Sequence, residues 1–225
     1  MRILAVDTSA VCAAVAVTED GKILSECQTN TGLTHSRTLM PMIDSTLRNA
    51  EISLDSIDFL ACSAGPGSFT GVRIGVAAIK GLCDGLKKKC LPVSTLEALA
   101  YNLLGRSCTA VSVMDARCNQ VYCGIFRVEG EKVSRLTDDE AIKIEDLGEK
   151  LKSYDDVIFV GDGARLCHRA LGYAIASPSE LFQKGSSVAF CAAENYSEEK
   201  LLEASQLMPV YLRLPQAERE LKNKS

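Results

Sequence analysis

The densest chemical signal in the chain is the run GPGSFTGVRIG from Gly65 to Gly75. Glycines let backbone N–H groups approach an anion, Ser68 and Thr70 add hydroxyls, and Arg73 adds a cation. Between a strand and a helix, such a loop cradles phosphate on the helix N-terminus. No Gly-Lys-Ser/Thr follows, so the lysine that neutralises a terminal phosphate is missing. The same residues also serve a structural reading. Gly65 and Gly67 turn the chain sharply, Ser68 or Thr70 caps the helix, and Gly71 and Gly75 allow close packing. Capping accounts for every residue except Arg73.

Two further turns hold acids, Asp7-Thr8-Ser9 and Asp115-Ala116-Arg117. The first keeps hydroxyls but has no glycine for backbone approach to a phosphate, and the second lacks the hydroxyls too. Asp7 either orients a metal-bound water or caps its own turn through local N–H groups. Ser68 as a nucleophile would need a base and an orienting acid. His35 is a base only if folding brings it near; capping a helix or meeting a partner is its other use.

Ten cysteines do not form a disulfide framework. Cys12, Cys62, Cys83, Cys123 and Cys191 sit in apolar or small-residue runs and are expected as buried free thiols. No C-x-x-C occurs, and Cys167-His168 is the single Cys-His neighbour pair, so no zinc site is expected. Lys and Arg total 25 against 29 Asp and Glu, a net charge of −4. A surface of that balance does not grip nucleic-acid phosphates unaided. Asp7, Thr8 and Ser9 interrupt the apolar N-terminus where a signal peptide must be continuous. No other segment reaches the ~18 apolar residues of a membrane helix, and a cytoplasmic protein is expected.

The elements that must position these loops occur twice. Arg2 to Thr29 reads as an antiparallel meander: ILAV ending at Asp7, AAVAV, a turn at Asp20-Gly21, and KILSEC. Thr109 to Arg135 repeats it with AVSVM ending at Asp115, QVYCGIFRV, a turn at Glu129-Gly130, and KVSRL. Fourteen residues separate Asp7 from Gly21, and fifteen separate Asp115 from Gly130. Each meander is followed by a helix, a buried strand, glycines and another helix. In the first half these are His35–Ala50, Phe59–Ser63, Gly65-Pro66-Gly67 and Val72–Leu86. The second half has Ile144–Leu151, Val157–Val160, Gly161-Asp162-Gly163 and Arg165–Leu171. Two α/β lobes with mixed sheets follow, residues 1–105 and 106–225, with a charged tail from Pro215 to Ser225 expected to fray.

Two helices of the first lobe have faces beyond their core stripes. Ala77, Gly81 and Gly85 stand four apart, as do Gly71 and Gly75, giving flat stripes that another helix can approach. In His35–Ala50, Leu39, Ile43 and Leu47 form the core stripe, Met40 and Met42 turn elsewhere, and Pro41 bends the helix locally. Methionines outside a core suit an adaptable partner surface. The alternative is that the two helices pack only on each other and their sheet; periodicity does not separate these.

The strand-helix order resembles the actin, sugar kinase and Hsp70 (ASKHA) superfamily, whose lobes are ribonuclease H-like. Its turns after the first strand of each lobe hold nucleotide phosphates, which, together with the glycine loop, makes Asp7, Thr8, Ser9, Gly65, Gly67, Ser68 and Gly71 nucleotide-facing candidates. More closely, the sequence resembles the TsaB (YeaZ) family of tRNA threonylcarbamoyladenosine biosynthesis. The matching stretches are ILAVDTS, HSRTLMPMID, GPGSFTGVRIG with VAAIKGL, PVSTLEALA, and MPVYLR with Ala217-Glu218. They span most of the chain, the specific ones lying in the first half.

That resemblance implies a non-catalytic partner of the transferase TsaD, bound through the two first-lobe helices. The implied contact residues are His35, Arg37, Met40, Met42, Arg73, Ala77, Gly81 and Gly85. TsaE, an ATPase, joins the pair, TsaC provides the threonylcarbamoyl adenylate, and tRNA is the substrate of the complex. The related transferase binds its metal through two histidines; here Thr95 and Leu99 of Ser94–Leu99 stand in their places. Leucine has no lone pair and threonine is a poor transition-metal ligand, so no metal is implied. No cofactor is implied for the isolated chain, with ATP or ADP at the subunit junction left open. Alone, the same face implies a homodimer. A phosphotransferase would need phosphate loops in both lobes, and a peptidase a complete nucleophile set.

Overall fold

The computed structural model describes residues 1–213. Strands β1 (Arg2–Asp7), β2 (Ala13–Glu19) and β3 (Lys22–Thr29) form the first antiparallel meander. Asp20 and Gly21 both have positive φ, 48° and 79°, the hairpin geometry that an Asp-Gly pair favours. Helix α1 (His35–Asn49) leads to β4 (Phe59–Gly65), parallel to β1; α2 (Phe69–Leu86) then leads to β5 (Cys90–Ser94), parallel to β4. The sheet order is β3-β2-β1-β4-β5. Ser68 caps α2, its Oγ accepting from Gly71 N, a contact of about 1 kcal/mol in helices generally.

A short helix, α3 (Thr95–Ala100), passes to the second lobe. There β6 (Ser107–Asp115), β7 (Gln120–Glu129) and β8 (Lys132–Arg135) repeat the meander, and β9 (Glu140–Lys143) pairs with the other end of β7. Then come α4 (Ile144–Leu151), β10 (Val157–Val160) parallel to β6, α5 (Ala164–Leu171) and β11 (Ala174–Ile175). The second sheet runs β11-β10-β6-β7-β8, so both sheets are mixed. Helix α6 (Gly185–Glu194) follows.

Among the described residues three apolar clusters form the core. Leu4, Val6, Val15 and Val17 pack under α1 and α2. Ile3 and Ala5, alternating with Leu4 and Val6, and Phe59 of β4 face the opposite side, where Val188, Ala189, Cys191 and Ala192 of α6 cover them. The second sheet packs on α4, α5 and the α3 side chains Leu96 and Leu99.

Three expectations change here. The division at 105/106 separates the meanders but does not sort the later chain. Helix α6 packs on β1 and β2 of the first sheet, because the sheet's second apolar face has to be covered. Gly185 lies so close to that sheet that a Cβ would stand 2.4 Å from Ala16 N. Met42 is a core residue, not a surface one, because positions 39, 42, 43 and 47 share a helix face at spacings of three and four; Met40 is 48% exposed. Gly71 and Gly75 face inward, where Thr8 and not a foreign helix lies against them. The tail from Pro215 lies outside the described residues.

Candidate functional site

The loops after β1, β4, β6 and β10 converge on an open cleft of about 780 Å³ between the lobes. All four leave the C-terminal ends of their strands, where α/β sheets place ligands. Ser9, Gly67, Ser68, Thr70 and Arg73 line one side, and Asp115, Arg117 and Asp162 the other. Asp7 lies beneath this surface, 1% exposed. Its Oδ1 accepts from Ser9 N at 2.8 Å and Ser9 Oγ at 2.6 Å, and Oδ2 accepts from Ser63 Oγ at 2.5 Å. Burial raises its pKa above the usual carboxylate value, against the opposing pull of these hydrogen bonds. These bonds are those of a turn cap.

The glycine loop is filled by the chain itself. Ser68 N donates to Ser9 O at 2.7 Å, and Thr8 Oγ1 donates to Gly71 O at 2.7 Å. A Cβ at Gly67 would stand 2.4 Å from Ser9 O, and one at Gly71 would stand 2.1 Å from Thr8 O. The glycines are therefore required by the contact between the two loops. A phosphate would meet carbonyl oxygens where a cradle needs N–H donors. The residues present do not fit a phosphate at this loop.

In the second lobe, Asp115 Oδ1 accepts from Arg117 N at 2.7 Å, and Asp162 Oδ1 accepts from Asp115 N at 3.2 Å. Burial, reinforced by the Asp115 charge, pushes the Asp162 carboxyl up to about 6. Arg117, Cys118 and Asn119 all have positive φ, between 54° and 62°. Nothing in their residue types signals three consecutive left-handed residues.

His35 is half-buried and bonds Ala10 O through Nε2 at 2.7 Å, tying the start of α1 to the β1–β2 turn. Among the described residues no hydrogen bond joins it to Ser68, whose Oγ caps α2. Thr95 and Leu99 are buried between the lobes, and Thr95 Oγ1 has no hydrogen-bond partner. No cluster of three or more potential metal ligands occurs among the described residues. All ten cysteines are free, Cys118 alone being exposed.

Arg73, Ala77, Gly81 and Gly85 form one exposed stripe along α2. Twelve helical steps from Arg73 to Gly85 make it about 18 Å long. A Cβ at Gly81 or Gly85 would meet nothing within 4 Å. Helix α1 packs beside α2 and exposes Arg37 and Met40. Tyr211, absent from the candidates drawn from sequence, stacks on Phe69 beside Arg73; its only signal was the MPVYLR match.

Two lobes built on meander-plus-crossover sheets, with loops from their strand ends around a common cleft, define an actin-like α/β protein of the ASKHA class. Component A of (R)-2-hydroxyglutaryl-CoA dehydratase from Acidaminococcus fermentans shares this fold, with TM-score 0.50 and 13% identity over 84% of this chain and 96% of that one. The likeness to YeaZ from Pseudomonas aeruginosa is much closer: TM-score 0.81, 26% identity, 94% of this chain and 99% of that chain. A family model described as TsaD, tRNA N6-adenosine threonylcarbamoyltransferase, matches residues 28–220. The tRNA threonylcarbamoyladenosine biosynthesis protein TsaB of Bacillus subtilis is 31% identical, covering 97% of this chain and 96% of that protein. Its Escherichia coli counterpart is 28% identical over 95% of each. The chain belongs to the TsaB family of tRNA threonylcarbamoyladenosine biosynthesis. Among the described residues no helix is long and apolar enough to cross a membrane.

Proposed function

We propose that this chain is a cytoplasmic, non-catalytic subunit that binds TsaD through α1 and α2 and supports threonylcarbamoyl transfer to N6 of the tRNA adenosine beside the anticodon. The observation that carries this reading is the exposed small-residue stripe of α2. A helix carrying Ala77, Gly81 and Gly85 on its open side admits a partner helix at short range. His35, Arg37 and Met40 on α1 and Arg73 at the end of the stripe are the further residues this reading assigns to the contact, whereas Met42 is buried in the core beneath α1. TsaE joins the pair, and tRNA is held by the assembly and not by this acidic chain alone. The glycine loop of this chain is closed by Ser9 and Thr8, and the reading leaves ATP or ADP at the junction of subunits open. Without TsaD the same face pairs two copies. The kinase and peptidase readings have less support, because Asp7 and Ser68 are both engaged in local capping.

The test is Gly81→Leu in a reconstituted modification assay. Overpacking at a close contact typically costs 1 to 3 kcal/mol, about 5- to 150-fold in association. The variant is expected to fold, to lose co-purification with TsaD and to abolish modification. Full modification by a folded variant overturns the reading.

A further inference from the structure

Arg73 is held by an aromatic group that comes from the far end of the chain. After α6 the polypeptide returns along the first sheet, where Leu202 and Cys90 exchange backbone hydrogen bonds of 2.8 and 2.9 Å. Ala204 and Leu207 enter the core beneath α2, and Val210 N donates to Ala64 O at 2.7 Å. Gly65 must be glycine for this approach: its φ is +128°, and a Cβ would stand 2.1 Å from Val210 O. Beyond Tyr211, Leu212 packs on the second core and Arg213 Nη1 donates to Ala116 O at 2.7 Å. The backbone is thus anchored on both sides of Tyr211.

So fixed, the Tyr211 ring stacks on Phe69 with centroids 4.4 Å apart and planes 18° from parallel. Its hydroxyl accepts from Arg73 Nε at 2.7 Å. The guanidinium carbon lies 5.5 Å from the Tyr211 centroid and 6.0 Å from that of Phe69. Arg2, Arg48, Arg106 and Arg135 each pair with a carboxylate. Among the described residues Arg73, like several other arginines, pairs with no carboxylate; what sets it apart is the aromatic pair and the hydroxyl that hold it. A guanidinium bonded through Nε keeps both Nη groups for a carboxylate, and a side chain ordered in advance loses less freedom on binding.

We infer that Tyr211 is a positioning residue for Arg73, and that the guanidinium it holds is the group with which the α2 face reads a carboxylate presented by its protein partner. The inference rests on the docking proposed above and extends that surface onto the segment 208–213. Arg73 stands at one end of a stripe that is otherwise small and uncharged, so one acidic side chain near the end of an approaching helix complements it. A second copy of this chain is the competing occupant. Antiparallel pairing about the middle of the stripe would set Arg73 opposite the other copy's Asp84–Gly85 end.

Calorimetry of the full chain with TsaD tests this. Arg73→Ala is expected to weaken binding about 30-fold, Tyr211→Ala about tenfold and Tyr211→Phe about threefold, the sizes of lost charge-assisted and ordering contributions. The double variant Arg73→Ala/Tyr211→Ala should bind no more weakly than Arg73→Ala, because Tyr211 acts through Arg73. A purely structural role would instead lower the melting temperature and add in full to the double variant, overturning the inference. Tyr211→Phe keeps the stacked ring and serves if Tyr211→Ala fails to fold. Unchanged TsaD affinity in both Tyr211 variants overturns the inference, as does a Tyr211 effect confined to self-association. Failure of the unsubstituted chain to bind TsaD overturns the docking reading, and this inference with it.

Discussion

Replacing Gly71 and Gly81 by alanine makes the same chemical change at two positions of one helix and should move stability in opposite directions. At Gly81 the new methyl meets nothing within 4 Å, so the intrinsic preference of a helix for alanine acts alone. That is worth about 0.5 to 1 kcal/mol. At Gly71 the methyl would stand 2.1 Å from Thr8 O, about 1 Å inside the closest approach real Cβ atoms show. The carbonyl is backbone, and Thr8 Oγ1 is bonded to Gly71 O, so relief requires moving the β1–β2 turn. Overpacking of about 1 to 3 kcal/mol together with a weakened buried hydrogen bond of about 1 kcal/mol outweighs the helix preference. The expected net loss is about 2 kcal/mol. For a chain of this length, 1 kcal/mol moves the melting temperature by about 2 to 4 °C. Thermal and urea unfolding should therefore show Gly81→Ala up by a few degrees and Gly71→Ala down by about 4 to 8 °C. A Gly71→Ala protein as stable as the parent, or a destabilised Gly81→Ala, would refute the assigned orientation of α2.

Further outcomes are expected. Asp162→Asn should stabilise the chain at pH 7 by on the order of 2 kcal/mol, since the native carboxyl, raised to about 6 from 3.8, ionises at a cost that asparagine avoids. Protonation removes that cost, so the gain should shrink as pH falls through 6 and vanish near pH 4; a gain independent of pH over that range contradicts the assignment. Under native conditions iodoacetamide should modify Cys118 first, with the buried thiols reacting only on unfolding; intact-mass analysis revealing paired cysteines would sink the free-thiol assignment. The isolated chain should bind ATP with a dissociation constant weaker than about 1 μM, about 8 kcal/mol, because Ser9 O occupies the glycine loop; tighter binding by calorimetry contradicts that geometry.

Both meanders were legible because their signals are local. Short apolar runs are joined by Asp-Gly and Glu-Gly turns, and the structure puts positive φ at Asp20, Gly21 and Gly130. Helix α2 and its cap were legible for the same reason. Helix α6 was not: Gly185, Ser186, Val188, Ala189, Cys191 and Ala192 are all buried, so its sequence has no polar face to set a period. Met42 was misplaced because a stripe drawn only at spacing four omits the i+3 neighbour. The cleft loops were recognisable as loops, but that Ser9 fills the space between them depends on carbonyl direction, which residue type does not encode. Tyr211 and Arg73 stand 138 residues apart, and no pattern within either segment announces the pair.

The crossing of α6 onto the first sheet bears on how the chain is made. During synthesis residues 1–105 emerge with every strand of the first sheet, yet one of its faces, covered in part by Ala98 and Tyr101, is not closed until residues 185–194 appear. The first-made lobe is therefore the last to close. A ribosome-bound chain halted near the middle should present Ile3, Ala5, Phe59, Ala61, Leu91 and Val93 as an open apolar surface, the kind of exposure that recruits chaperones and promotes aggregation. Residues 1–105 alone leave one face of their own sheet incompletely covered, so the repeat visible in the sequence does not mark out a self-contained first lobe.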